Sequence, residues 1–287
     1  MCTIPAVIIT YPPVSPYSIG NPIWQCGYFE SVNKHNSIAE MSSLNATCCT
    51  LAPVDPTYKS KGEIIKIGAL DVYVVGPKGA KNAIIVNYDI FGDHPCTRQV
   101  LDILSTHGFR VAMPDLCHGD PWPVDAWPPA GGFGEVMAHI SKNANYESIQ
   151  KDMAATREHL RSEGSQHFGI IGFCWGAVMV SKLSTDPAYE AVVCAHPGAI
   201  PLDVAAAIKA PVLLLPAKDD PKESFDPVFE VVVKNHPTSK QVRFDDVHHG
   251  FLAARADFSN ELLAKRANEG IKLIHDFFVA HLGTGKA

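Results

Sequence analysis

Cys174 stands at the centre of Gly172-Phe173-Cys174-Trp175-Gly176, where an apolar run over 168–173 meets a segment of helical pattern. Glycine two residues before and two residues after a candidate nucleophile marks an abrupt strand-to-helix turn. Such a turn strains its central residue, and side chains at the flanking positions would collide with neighbouring backbone. The helix that follows offers free N–H groups and the positive end of its dipole, which favour a thiolate and an oxyanion. The plainer alternative is a small buried cysteine between two packing glycines.

A nucleophilic thiol needs a base, and the base needs an orienting carboxylate. On this kind of turn the chain order is nucleophile, acid, histidine. That order is met here. The run 212–216 is followed by Ala217-Lys218-Asp219-Asp220, which places two carboxylates just past a strand. The run 241–244 is followed by Asp245-Asp246-Val247-His248-His249-Gly250-Phe251. Reaction sites of open α/β sheets gather at that carboxyl edge. His249 is the expected base, because Gly250 lets its loop come close to the nucleophile. His248 is expected to be a neighbour and Asp219 to be solvated. A zinc site at the paired histidines lacks the Cys or carboxylate spacing that would complete a tetrahedral set.

Tyr88-Asp89-Ile90-Phe91-Gly92 follows the apolar run 83–88. A loop at that point sets the Ile90 N–H beside the turn, forming an oxyanion hole with the N–H of Trp175. Asp89 is then an acid at the mouth of an apolar strand. Its alternative role is a helix cap, for which Asp93 is better placed.

The elements that must position these groups are readable from periodicity. Residues 63–67 and 70–75 form an expected β-hairpin, and 83–88 is continuous enough for a strand buried on both faces. A helix over 95–107, a strand over 109–113 and a long Pro- and Trp-rich loop over 114–132 follow. Ile149, Met153 and Leu160 mark one face of the next helix, which ends near Gly164. Strand 168–173, helix 175–185, strand 191–195, a short helix near 203–208, strand 212–216, helix 225–235 and strand 241–244 complete the alternation. Leu263, Ala267, Ile271, Ile274 and Phe278 make one apolar stripe on a last helix. Strands alternating with helices predict an α/β fold, a mostly parallel central sheet with helices on both faces. Residues 1–60, rich in Pro, Ser, Asn and Thr, read as a poorly ordered arm, and 61–287 as one domain.

The chain has 287 residues, 46% apolar and 19% charged, so it can bury a large core. Its net charge of −6, with no basic run, predicts no nucleic acid partner and no anionic membrane partner. No apolar stretch is long enough to span a membrane, and Pro5, Pro12 and Pro13 interrupt the N-terminal apolar run before it could read as a signal peptide. Eight scattered cysteines without an export signal favour reduced thiols, so a cytoplasmic protein is expected. No heptad or exposed apolar stripe argues against a monomer.

Together these motifs resemble the dienelactone hydrolase (carboxymethylenebutenolidase-like) family, fungal and other eukaryotic members above all. The likeness runs from about Cys48 to Leu282. It takes in Cys48-Cys49, Asn87-Tyr88-Asp89-Ile90-Phe91-Gly92, Pro114-Asp115, the Cys174 pentapeptide, Ala195-His196-Pro197, and His249-Gly250-Phe251 with Arg255 beyond it. The resemblance implies an α/β-hydrolase fold and a Cys-Asp-His triad opening enol-lactones or related esters, with no cofactor. Carried over, it makes Cys174 the nucleophile and His249 the base. The acid falls on Asp220, or on Asp219 if the match shifts by one. Asp89 matches a Glu that contacts the resting nucleophile in bacterial members, and Arg255 an Arg that holds the substrate carboxylate. Two other readings stay open. One is a thiol redox protein with Cys194 or Cys117 as the resolving partner. The other is a non-catalytic small-molecule-binding protein on the same fold.

Overall fold

A computed structural model describes residues 53–54 and 57–283. Among the described residues eight strands form one sheet in the order β1 (Glu63–Ile67), β2 (Leu70–Val75), β4 (Arg110–Pro114), β3 (Asn82–Asn87), β5 (His167–Phe173), β6 (Ala191–Ala195), β7 (Val212–Leu215) and β8 (Lys240–Gln241). β1 (Glu63–Ile67) and β2 (Leu70–Val75) make the expected hairpin, with Ile67 opposite Leu70. β2 runs antiparallel to β4 (Arg110–Pro114); all remaining pairs are parallel. β3 (Asn82–Asn87), β5 (His167–Phe173) and β6 (Ala191–Ala195) form the middle. Their apolar runs are continuous because helices cover both faces, so Ala83 to Val86 and Ala191 to Ala195 are wholly buried.

The strand order places the reaction site. From β3 the chain crosses one way to β4, then returns to β5 on the other side of β3. Loops leaving β3 and β5 therefore part in opposite directions, and the crevice between them lies at the carboxyl edge. Ile90 leaves β3 there, and Cys174 leaves β5.

Seven helices and one 3₁₀ turn are formed by the described residues. α1 (Pro95–Ser105) starts with Pro95 in its first turn. Its cap corrects the sequence reading. His94 caps it, with Nδ1 accepting the Cys96 N–H at 3.2 Å, while Asp93 pairs with Arg98. The long loop holds the 3₁₀ turn Val124–Ala126, then gives way to a helix the sequence reading did not single out, α2 (Phe133–Asn143). α3 (Tyr146–Ser162) buries Ile149, Met153 and Leu160 as expected. α4 (Trp175–Leu183), α5 (Leu202–Ala207) and α6 (Lys222–Asn235) follow their strands. α7 (Glu261–His281) buries Ala267, Ile271, Ile274 and Phe278, with Leu263 half-buried at its start. Burying each large member of that stripe is worth about 1.5–3 kcal/mol, more than the ~1 kcal/mol that Gly270 costs in mid-helix.

β7 (Val212–Leu215) lies beside β8, which keeps only Lys240–Gln241 as regular strand. The expected strand 241–244 is thus shorter than read, although Val242 and Phe244 still donate to the Leu214 and Pro216 carbonyls. Most of the expected arm, residues 1–52 and 55–56, lies outside the described residues. Its last residues are bonded to the domain: the Val54 N–H donates to the Ala254 carbonyl, and the Tyr58 hydroxyl to the buried carboxylate of Asp102 at 2.8 Å. Among the described residues no helix is long and apolar enough to cross a membrane.

Candidate active site

Cys174 joins β5 to α4 with φ 55° and ψ −116°, a backbone conformation that a non-glycine residue rarely adopts. Strain of this kind persists only where the surroundings impose it. Here the Cys174 N–H donates to the Ala195 carbonyl at 3.1 Å, and its carbonyl accepts from Ala177 N–H at 3.1 Å and Gly198 N–H at 3.0 Å. The flanking glycines are required by space. A Cβ on Gly172 would stand 2.3 Å from the Gly176 carbonyl oxygen, and one on Gly176 would stand 2.4 Å from the Asn87 and Tyr88 oxygens. α4 is pressed against the end of β3, which brings the Cys174 turn next to the loop carrying Ile90.

That loop is fixed by Asp89. Its carboxylate accepts the Phe91 N–H at 2.9 Å and the Ala254 N–H at 3.2 Å, and its carbonyl accepts the Gly92 N–H. The Ile90 carbonyl in turn accepts the Trp122 N–H at 2.9 Å. Phe91 and Gly92 thus turn their N–H groups inward, while those of Ile90 and Trp175 have no acceptor among the described residues. Burial raises the Asp89 pKa, with backbone N–H donation and the nearby Arg255 charge opposing the shift. Both Asp89 oxygens are engaged by backbone, so its geometry is that of a clip between the β3 loop and the segment after His249.

Asp220 and His249, the expected acid and base, are brought together. Asp220, 1% exposed, accepts Ala217 N–H on Oδ2 at 2.7 Å and lies 2.6 Å from His249 Nδ1 through Oδ1. With Nδ1 turned to a carboxylate, the imidazole keeps its proton there and leaves Nε2 as the basic nitrogen. Asp219 is not simply solvated: its Oδ2 accepts the backbone N–H of His249 at 3.2 Å. His248 lies alongside, Nδ1 2.9 Å from the His249 carbonyl oxygen, and burial lowers its pKa. Gly250 takes φ 92°, which turns the chain back and sets it against Arg255.

Arg255 is 3% exposed, with its guanidinium 5.2 Å from the Phe91 ring centre and 4.9 Å from that of Trp127. Trp127 belongs to the long loop and meets Phe91 edge-on at 5.3 Å, so this loop roofs the arginine. Two residues the sequence reading passed over also act here. Arg243 Nη2 donates to the carbonyls of Ala217 at 3.0 Å and Asp220 at 2.8 Å, tying down the loop 217–220. His196, quoted above only as part of a motif, packs its ring against His249. A cation in an otherwise strand-like run, and a histidine at the end of an apolar strand, were the available signals.

The arrangement is a strained thiol at a helix N-terminus and an imidazole oriented by a buried carboxylate, linked through His196, whose ring stacks on Phe173 and meets His249. Among the described residues no three His, Cys, Asp or Glu side chains are grouped as a metal ion would require.

The profile of the dienelactone hydrolase family matches residues 70–282. The chain belongs to the dienelactone hydrolase family. Membership makes it a hydrolase of ester or lactone bonds. An uncharacterized AIM2 family protein of Schizosaccharomyces pombe is 32% identical over 81% of this chain and 98% of its own length. A carboxymethylenebutenolidase homolog of Mus musculus is 29% identical over 68% of this chain and 81% of its own. A putative dienelactone hydrolase of Klebsiella pneumoniae superposes with a TM-score of 0.60 at 19% identity, over 77% of this chain and 95% of that one, and supports the α/β-hydrolase fold.

Proposed function

We propose that this hydrolase opens lactones or esters through a Cys174–Asp220–His249 triad and a thioester intermediate. The observation that supports the reading is Cys174 at positive φ on the turn, together with an imidazole bonded to a buried carboxylate at 2.6 Å whose ring meets that of His196, itself stacked on Phe173 beside the turn. His249 Nε2 takes the proton of Cys174 Sγ while Asp220 fixes the tautomer and stabilises the imidazolium. The thiolate attacks the carbonyl carbon, and the N–H groups of Ile90 and Trp175 receive the oxyanion. Collapse of the adduct breaks the carbon–oxygen bond, and the imidazolium protonates the departing oxygen. A water deprotonated by His249 then attacks the thioester, expelling Cys174 as thiolate.

A thiolate leaves a tetrahedral adduct more readily than an amide nitrogen does, so amides react poorly. An enolate oxygen leaves readily, which favours enol-lactones. The name of the mouse relative points the same way. Arg255, beneath Trp127 and Phe91, places a positive charge near His249 and favours a substrate that carries a carboxylate. The redox reading has little support, because burial pushes the Cys117 and Cys194 thiols up to about 12, and neither offers a thiolate to resolve a disulfide.

The test compares wild type with Cys174→Ala on a panel of enol-lactones and p-nitrophenyl acetate. Turnover that disappears in the variant supports the triad. A folded variant that keeps half its activity removes Cys174 from the mechanism.

A further inference from the structure

His196 shares the site with His249, yet the mechanism above gives it no task. It follows β6 in Ala195-His196-Pro197-Gly198, a stretch whose two ends hold the nucleophile's backbone: Ala195 accepts from Cys174 N–H, and Gly198 donates to the Cys174 carbonyl. The His196 ring is wholly buried. It stacks on Phe173, the residue before the nucleophile, with centroids 5.8 Å apart and planes 28° apart. It meets His249 edge-to-face at 5.0 Å and Phe251 at 5.9 Å. Neither of its ring nitrogens has a hydrogen-bond partner in another described residue, its own backbone being the one polar group that favours its protonation.

That is a costly way to fill space. A buried donor and a buried acceptor left unpaired lose the hydration they had in water, whereas a phenyl ring would fill a similar volume without that loss. His196 also sits at φ 35°, outside the ordinary backbone regions. Packing alone therefore gives no reason for an imidazole here.

We propose that His196 is a positioning residue: its neutral ring, held between Phe173 and His249, stabilises the imidazolium that His249 becomes each time it accepts a proton. This rests on the triad reading above. A fixed dipole and π-face beside a developing cation, both rings being buried, stabilise the charge without having to reorganise. His196 exchanges no proton itself; the proton passes from Cys174 Sγ to His249 Nε2 and on to the departing oxygen. The role requires that His196 stay neutral. Burial first, and the His249 charge second, hold its pKa well below 6.5. The other groups around His249 are Asp220 on Nδ1, Asp219 on its backbone N–H, His248 at its carbonyl and Arg255 beside Gly250, and the proposed mechanism adds Cys174 as proton donor. Asp220 favours the cation and Arg255 opposes it, and His196 packs against the ring that carries it.

The test is the rate of Cys174 alkylation by iodoacetamide against pH, in wild type, His196→Phe and His196→Asn, with melting temperatures and ester kinetics beside it. Asparagine tolerates the positive φ, so it decides the matter if the phenylalanine variant does not fold. The midpoint of the alkylation profile is expected to rise by about one pH unit in either folded variant, with kcat lowered about tenfold and KM held. A midpoint unmoved in a folded variant overturns the proposal, even if the melting temperature changes, because His196 is then a filler. A wild-type midpoint near the free-thiol value of ~8.5 overturns the triad reading itself.

Discussion

Adding one methyl group at Gly176 tests how tightly the nucleophile turn is set against the oxyanion loop. The new Cβ would stand 2.4 Å from two carbonyl oxygens, those of Asn87 and Tyr88, well inside the 3.0 Å below which something must shift. Both neighbours are backbone, wholly buried at the end of β3, so no side chain can rotate away. The clash is relieved only by moving α4 and β3 apart by ~0.5–1 Å, and overpacking of this kind costs about 1–3 kcal/mol. For a domain of this size that is a fall of roughly 2–12 °C in melting temperature. On the proposed mechanism the same shift moves the Ile90 N–H away from the carbon that Cys174 attacks, which costs about tenfold to a hundredfold in turnover. Gly134→Ala is the control. That glycine is exposed in the first turn of α2 with nothing within 4 Å of its Cβ position, so alanine there should stabilise by about 0.4–1 kcal/mol. Circular dichroism melts and ester hydrolysis on both variants decide the matter. Wild-type melting and turnover in Gly176→Ala would refute the reasoning.

Asp220→Asn should lower kcat by about 10³–10⁴-fold, because the amide oxygen is drawn to Ala217 N–H and the amide nitrogen then forces the wrong tautomer on His249. Asp219→Asn should stay within a few-fold, since an amide oxygen can still accept the His249 N–H, and the reverse ranking would move the acid by one position. Asp89→Asn should cost about 1–3 kcal/mol in urea unfolding, because one of two facing backbone N–H groups then meets a donor. An unchanged unfolding midpoint would count against the clip. Stability should also fall with acid. The folded-state pKa of His196 is depressed, so its contribution is complete above 6.5 and is lost as the pH drops, at up to ~1.4 kcal/mol per pH unit for this one group. His248 and His94, lowered by burial too, act in the same direction. Unfolding free energies equal at about pH 7 and pH 5.5 would contradict this.

The sequence exposed those features that repeat or that need unusual residues. β3, β5 and β6 read as continuous apolar runs because helices cover both faces, and α7 showed one stripe because only one side of it meets the sheet. The Gly-x-Cys-x-Gly spacing was legible because backbone crowding excludes any side chain there. Features set by distant partners were hidden. Phe133, Val136, Met137 and Ile140 carry a helical spacing for α2, but Gly131, Gly132 and Gly134 around its start obscured it. His94 caps α1 rather than Asp93 because Arg98 draws the aspartate away. Asp219 looked solvated because nothing local reveals that the His249 backbone folds back onto it. The grip of Arg243 on the acid's loop, and the burial of His196 against His249, depend on contacts between strands far apart in the chain.

The central claim is that a covalent bond forms at Cys174 Sγ. Wild-type protein mixed with p-nitrophenyl acetate, quenched in acid during turnover and digested, should show one acetyl group on the peptide carrying Cys174. The label should accumulate in His249→Ala if acylation proceeds slowly while deacylation stalls. Turnover at the wild-type rate with the label absent from that peptide, or turnover surviving in Cys174→Ala, would contradict the account.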